Sequence, residues 1–134
     1  MVDRPQHCGS HRSSGDVSLS SLSADHIDYA FLSAARYFFL SFANNDHSAW
    51  IATVLGAEDF FPFGDSLITV RSALALVQEM RCSRRSDFCF SNPRCPCCAA
   101  IVTQDERYLL QMIQAARRGS GSQVASNAML LCEG

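Results

Sequence analysis

Apolar residues in the first third of the chain recur at the three-to-four-residue spacing of a helix. Five of them form one stripe: Ile27, Phe31, Ala34, Phe38 and Phe42. Neighbouring aromatic and aliphatic residues widen the stripe beyond a single helical face. A helix this apolar belongs at the centre of a fold or against a second subunit. We therefore predict a central first helix that begins near Ser23, with a homo-oligomer through this helix as the alternative arrangement.

Further helices are indicated by three later segments. One lies between the polar break at residues 44–46 and Gly56, and another follows Asp65 and ends in an Arg-rich stretch. The clearest signal is Thr103-Gln104-Asp105-Glu106, which matches a capping box ahead of an amphipathic run. A weak stripe near the C-terminus predicts a short final helix. The pattern therefore predicts a mainly α protein, a small helical domain of four to five helices.

Composition sets the domain organisation. The chain has 134 residues, of which 48% are hydrophobic, and this is enough apolar material for one core. Residues 1–21 are polar and predict a flexible N-terminal arm. The helical domain is expected over 22–118, and residues 119–134 form a C-terminal tail with the short helix as a docking element. No apolar run is long enough for a membrane span, because Arg36 interrupts the longest one.

Cysteines are concentrated in one segment, since five of the seven fall between residues 82 and 98. The polar N-terminus lacks the apolar run of a secretory signal, so the sequence predicts a cytoplasmic protein with reduced thiols. Reduced thiols in a cytoplasmic protein bind a metal, take part in redox chemistry or are buried as small apolar side chains. The Cys95-x2-Cys98 pair has the spacing at which two thiolates converge on one Zn²⁺ ion. An extended segment and an Asn-Pro turn precede it, which predicts a zinc-knuckle-like turn within residues 82–98.

The predicted cofactor is a structural Zn²⁺ ion, because a closed site of four thiolates leaves no open position for catalysis. The predicted ligands lie within seventeen residues of one another: Cys82, Cys89, Cys95 and Cys98. Alternative ligands come from the same turn and from both ends of the chain: Cys97, Cys132, His7 and His11. His7 and His11 lie on either side of Cys8 in an H-C-x2-H pattern. An iron-sulfur cluster and free thiols are the competing interpretations.

Charge is distributed unevenly although the net charge is only −2. Residues 1–79 carry four Arg and nine acidic residues, whereas residues 80–118 carry seven Arg and three acidic residues. The basic surface predicted to contact a partner consists of Arg81, Arg84, Arg85 and Arg94. Helix C-termini also attract arginines, which is the structural alternative. A nucleic acid is a second candidate partner for this surface, although the net charge argues against a general nucleic-acid binder.

Three aromatic residues surround a proline between the second and third helices: Phe60, Phe61 and Phe63. They either close the end of the helical core or form a second surface that binds a protein, because aromatic anchors dominate interface energies. The sequence shows no phosphate-binding loop, nucleophile elbow or zinc-protease helix. The predicted function is therefore a non-enzymatic, zinc-binding regulatory or adaptor protein that binds another macromolecule. A DNA-binding transcription regulator and a thiol-redox protein or sensor that uses Cys95 and Cys98 are the alternatives.

Overall fold

The computed structural model describes residues 14–59, 61 and 64–133, together with the backbone of residues 4–6. Within these ranges the chain is mainly helical, as predicted. Its helices are α1 His26–Asn44, α2 His47–Ala57, α3 Asp65–Ser83, the single turn α4 Pro96–Ala99, α5 Gln104–Arg117 and α6 Gly121–Cys132. Its strands are β1 Arg4–Gln6, β2 Val17–Ser18, β3 Cys89–Ser91 and β4 Ile101–Val102.

Helix α1 lies at the centre, in contact with α2, α3, α5 and β3. Five of its apolar residues are buried with residues from other elements in the main core cluster: Ala34, Ala35, Phe38, Phe39 and Leu40. Leu32 belongs to a second, smaller cluster with Val102 and Leu110. Phe39 stacks on Phe88 and Phe90, with ring centroids 4.2 and 5.5 Å apart. Since residues 88–90 immediately precede the cysteine-rich turn, this stack fixes one side of the turn to α1. None of the described helices has the length and hydrophobicity needed to cross a membrane.

Helix boundaries follow local capping chemistry. Asp25, rather than Ser23, is the N-cap of α1, and it forms a capping box with Asp28. Asn45 ends α1 in a left-handed conformation with φ of 50°. The capping box at Thr103 is present, because its hydroxyl accepts a hydrogen bond from the Glu106 N–H while the Glu106 carboxylate accepts one from the Thr103 N–H.

Two short pairs of strands frame the cysteine-rich turn. β1 runs parallel to β3, with Gln6 opposite Ser91, and β2 runs antiparallel to β4, with Val17 opposite Val102. Parts of the segment predicted as an arm therefore pair with the strands on either side of the turn. At the other end of the chain, α6 packs on α5 and α3 and buries Leu131.

Candidate metal centre

The turn that carries the cysteines is built by its own backbone hydrogen bonds. The Asn92 side-chain oxygen accepts a hydrogen bond from the Arg94 N–H, and the Asn92 carbonyl accepts one from the Cys95 N–H. Cys95 is the extended N-cap of α4, and Pro96 occupies the first helical turn, where a missing N–H costs nothing. This geometry places three cysteines on less than two turns of backbone.

The sulfurs of Cys95, Cys97 and Cys98 all lie within 4.8 Å of one another, so this group could hold a metal ion. The Cys95 and Cys97 sulfurs are 3.2 Å apart. Tetrahedral zinc has Zn–S bonds of about 2.3 Å, which puts its sulfur ligands about 3.8 Å from each other. Once Cys97 is reduced, small side-chain rotations would therefore bring the three sulfurs to the spacing of a zinc site.

The three cysteines differ in exposure and oxidation state. Cys98 is buried, Cys95 is half-buried and Cys97 is exposed. Cys97 is disulfide-bonded, whereas the other cysteines that the structure describes form no disulfide. Metal binding by all three thus requires Cys97 to be reduced, because only a thiolate is a ligand.

The protein environment shifts the pKa values of Cys95 and Cys98 in opposite directions. The backbone N–H of Cys98 lowers the pKa of Cys95, because it stabilises the thiolate, and the Cys98 side chain adds to this effect. Burial raises the pKa of Cys98, and the nearby Cys95 raises it further. Cys95 is therefore the first of the two to become a thiolate and the better initial ligand.

The predicted ligand set is only partly brought together. Cys95 and Cys98 are joined by the alternative ligand Cys97, whereas Cys82 is exposed at the end of α3 and Cys89 lies in β3. Cys132 packs against the main core cluster. Neither Cys82, Cys89 nor Cys132 belongs to the sulfur group found within the described residues. His7 and His11 lie outside the described residues.

A buried ion pair between Arg36 and Glu106 stabilises the backbone beside the cysteine-rich turn. The Arg36 guanidinium donates two hydrogen bonds to the Glu106 carboxylate, over 2.7 and 2.9 Å. It also donates to the carbonyls of Ala99 and Ile101, over 2.9 and 2.8 Å. Arg36 is 4% exposed and Glu106 is fully buried, so the ion pair lies out of water, whereas the two carbonyl contacts are partly buried. Arg36 therefore fixes the backbone that directly follows Cys98.

Glu106 completes the network from the other side. Besides Arg36, its two carboxylate oxygens accept hydrogen bonds from the backbone N–H groups of Ser91 and Thr103, both over 3.0 Å. The Ser91 hydroxyl donates to the Ile101 carbonyl, and the Thr103 hydroxyl donates to the Cys89 carbonyl. One carboxylate thus connects α1, β3, the residues after α4 and the start of α5.

This network was not predicted, although the sequence contains a signal for it. Arg36 is the only charged residue within the apolar run 29–42, and a buried arginine requires a buried counter-charge. Glu106 was expected only to cap a helix. Its second role depends on a contact across 70 residues, which no local pattern reveals.

Arg94 connects the turn to the start of α2 instead of facing only solvent. Its guanidinium donates to the Asp46 carboxylate over 2.5 Å and to the Ser48 hydroxyl over 2.7 Å. Asp46 is the N-cap of α2, so the turn and that helix share one carboxylate. The Ser48 hydroxyl and then Arg94 lower the pKa of Asp46 to about 2.

We expect Arg94→Ala to raise the pKa of Asp46 part of the way to its ordinary 3.8, and Ser48→Ala to raise it further. Because the folded-state pKa is depressed, the stability from these contacts is fully present above the ordinary pKa. It is lost as the pH falls toward about 2. Carboxyl chemical shifts followed by NMR through this range measure the change. An Asp46 that titrates at its ordinary pKa in the unaltered protein would contradict the pairing.

The other predicted partner-binding arginines also contact groups of the chain itself. Arg84 is 8% exposed and donates to the Leu131 carbonyl and to Asp105, so it joins α6 to the region before β3. Its burial removes it from any contact surface. The Arg81 guanidinium lies 4.0 Å from the centre of the Phe42 ring. Arg85 is exposed, and its backbone N–H donates to Glu133.

Of the three aromatic residues in the loop between α2 and α3, only Phe61 is among the described residues. Phe61 is half-buried and packs against the main core cluster, which agrees with its interpretation as a plug at the end of the core. Phe60 and Phe63 lie outside the described residues.

Comparison of the chain with protein-family models, curated protein sequences and solved structures finds no match in any of the three.

Proposed function

We propose that Cys95, Cys97 and Cys98 bind a structural Zn²⁺ ion and that the fold so stabilised acts as a non-enzymatic regulatory or adaptor protein for another macromolecule. The observation that carries this proposal is the convergence of the three sulfurs within 4.8 Å. Sulfur-rich tetrahedral sites select zinc or iron-sulfur clusters over harder metals. Zn²⁺ is not redox-active, so it suits a site with a structural role.

The fourth ligand is proposed to come from the N-terminal segment. β1 lies beside β3, and Gln6 pairs with Ser91, so the chain that continues into His7 and Cys8 starts next to the strand that leads into the turn. Two residues of chain span at most about 7 Å. His7 and Cys8 supply an imidazole and a thiolate within two residues of Gln6, and His11 supplies a second imidazole five residues from it.

The test is the zinc content of cysteine variants purified under reducing conditions without chelator. Cys95→Ser, Cys97→Ser and Cys98→Ser should each lose most of the bound zinc. Cys82→Ser is the matched control, because Cys82 is exposed and outside the group, and it should keep about one zinc per chain. Cys8→Ser and His11→Ala then assign the fourth ligand. Full zinc content in all three turn variants would refute the proposed site.

A second candidate function, a redox sensor, is favoured by the disulfide at Cys97. In this scheme the zinc-bound Cys97 thiolate attacks hydrogen peroxide, the O–O bond breaks, and a sulfenic acid and hydroxide form. A second thiolate then attacks the Cys97 sulfur and displaces hydroxide, which forms the disulfide and frees zinc. One equivalent of hydrogen peroxide should release one equivalent of zinc, which a chromogenic chelator measures. A structural site without sensor function would keep its zinc under the same treatment.

A further inference from the structure

Helices α1, α2 and α3 enclose an apolar groove of about 460 Å³ on the face of the molecule formed by α2 and α3. Phe42 contributes to its floor, Trp50 and Val54 form the α2 wall, and Leu67 and Leu74 belong to the α3 wall. We call this feature the α2–α3 groove. Its volume lies in the range of about 300–1,000 Å³ found for ligand sites.

The groove and its surroundings expose more apolar surface than a helix pair normally leaves to water. Trp50 is 46% exposed and Leu67 is 68% exposed. Ile51, Leu55 and Ile68 extend the apolar surface outward. Helix α2 has no Asp, Glu, Lys or Arg along its entire length, although one of its faces is exposed. Contiguous apolar patches of this kind mark sites of interaction.

Charge at the rim indicates what the groove accepts. Arg71 lines it, is exposed and has no ion-pair partner among the described residues. Its neighbours three and four positions away on α3 are all apolar, namely Leu67, Ile68, Leu74 and Ala75. Arg81 lies further along the same helix, over the Phe42 ring. Among the described residues, Arg71 is therefore the only charged residue that lines the groove.

We propose that the α2–α3 groove binds an amphipathic helix of a partner protein whose apolar stripe is flanked by acidic residues. Apolar anchors at positions i, i+3/i+4 and i+7 would occupy the floor, as in other helix-in-groove complexes. Carboxylates beside the stripe would pair with Arg71. The proposal names the partner class for the adaptor part of the proposed function and is independent of zinc.

A second copy of this chain does not fit the groove as well. An occupant needs an exposed apolar stripe with acidic flanks, and the described helices offer none: α2 and α6 have no charged residue, and the apolar faces of α1 and α5 are used in the core. The exposed apolar residues of α3 lie beside Arg71, so two copies of this face would oppose like charges.

Trp50 is the only tryptophan of the chain, so its fluorescence reports on the groove directly. The probe is a synthetic helical peptide without tryptophan, with Leu at i, i+3, i+4 and i+7 and Glu on both sides of that stripe. Binding should shift the Trp50 emission to shorter wavelength in a saturable manner. A peptide with Lys in place of Glu should bind at least several-fold more weakly.

Two variants locate the binding site. Leu67→Ser should weaken binding of the acidic peptide about tenfold or more, because a central anchor contact is worth above 1 kcal/mol. Its folding cost is small since Leu67 is mostly exposed, and Leu130→Ser on α6 is the matched control. Arg71→Glu should reverse the preference between the two peptides, whereas Arg118→Glu, outside the groove, should not.

Three results would overturn the inference. The acidic peptide could leave Trp50 emission unchanged, or both peptides could bind equally well. Trp50 emission could also shift with protein concentration alone while sedimentation shows a dimer, which would assign the groove to a second copy. The zinc content measured on the same samples distinguishes these outcomes from a failure of the metal site, because none of the groove variants touches the turn.

Discussion

Replacing Arg36 by Met should lower the free energy of unfolding by about 3–5 kcal/mol, the cost of breaking a buried ion pair from one side. The loss arises because the Glu106 carboxyl group would be left fully buried without its counter-charge. The carbonyl of Ala99 would also lose its Arg36 donor. A natural domain has only about 5–15 kcal/mol of stability in total, so urea unfolding should detect the change readily.

The matched control is Arg118→Met, at an exposed position on the surface. It should change stability by less than about 0.5 kcal/mol. A loss below about 1 kcal/mol in Arg36→Met would contradict the buried network as described.

The double variant Arg36→Met/Glu106→Leu separates this network from a simple ion pair. Substituting both members of an isolated buried pair by apolar residues is often neutral. Here the N–H groups of Ser91 and Thr103 would lose their shared acceptor, Glu106. Buried donors without an acceptor cost about 1–3 kcal/mol each, so the double variant should remain clearly destabilised.

Stability should also rise with the concentration of free zinc. If the ion binds only the folded chain, each tenfold increase in free zinc above the dissociation constant adds about 1.4 kcal/mol to the free energy of unfolding. A thousandfold excess over that constant adds about 4 kcal/mol. Urea unfolding in zinc buffers under reducing conditions measures this slope.

Cys98→Ser should remove the dependence on zinc, because Cys98 is the buried member of the sulfur group. Cys82→Ser should retain the slope of the unaltered protein. If the free energy of unfolding of the unaltered chain does not change with free zinc, the ion has no structural role.

The Arg36 network and the proposed zinc site are coupled through the backbone that follows Cys98. Arg36 holds the carbonyls of Ala99 and Ile101, so it positions the turn without touching a sulfur. Groups that orient metal ligands in this indirect way typically change metal affinity by about 10–100-fold when they are mutated. Arg36→Lys keeps the charge but loses the bidentate geometry, and it should weaken zinc binding within that range.

Local chemistry explains why the helices could be predicted from sequence. The apolar period of residues 27–42 corresponds to α1, and the Thr103 capping box starts α5 where it was expected. Such signals need only a few neighbouring residues. Boundaries were less reliable: Asp25 caps α1 instead of Ser23, since its side chain accepts hydrogen bonds from the N–H groups of Ile27 and Asp28.

Contacts between distant parts of the chain could not be read from the sequence. The Arg36–Glu106 pair spans 70 residues, and the paired positions of β1 and β3 are 85 residues apart (89 − 4). The ligand set depended on the same kind of information. Spacing alone allowed Cys82 and Cys89, whereas the α4 turn directs Cys97 to Cys95 and Cys98.

Zinc-edge X-ray absorption on the reduced protein, purified without chelator, tests the metal site most directly. We expect about one zinc per chain, coordinated by three or four sulfurs at about 2.3 Å. Cys82→Ser should leave that shell unchanged, and Cys97→Ser should remove a sulfur or the ion itself. A protein without zinc, or a zinc bound only by oxygen and nitrogen, would contradict the proposal that these sulfurs hold the turn through an ion.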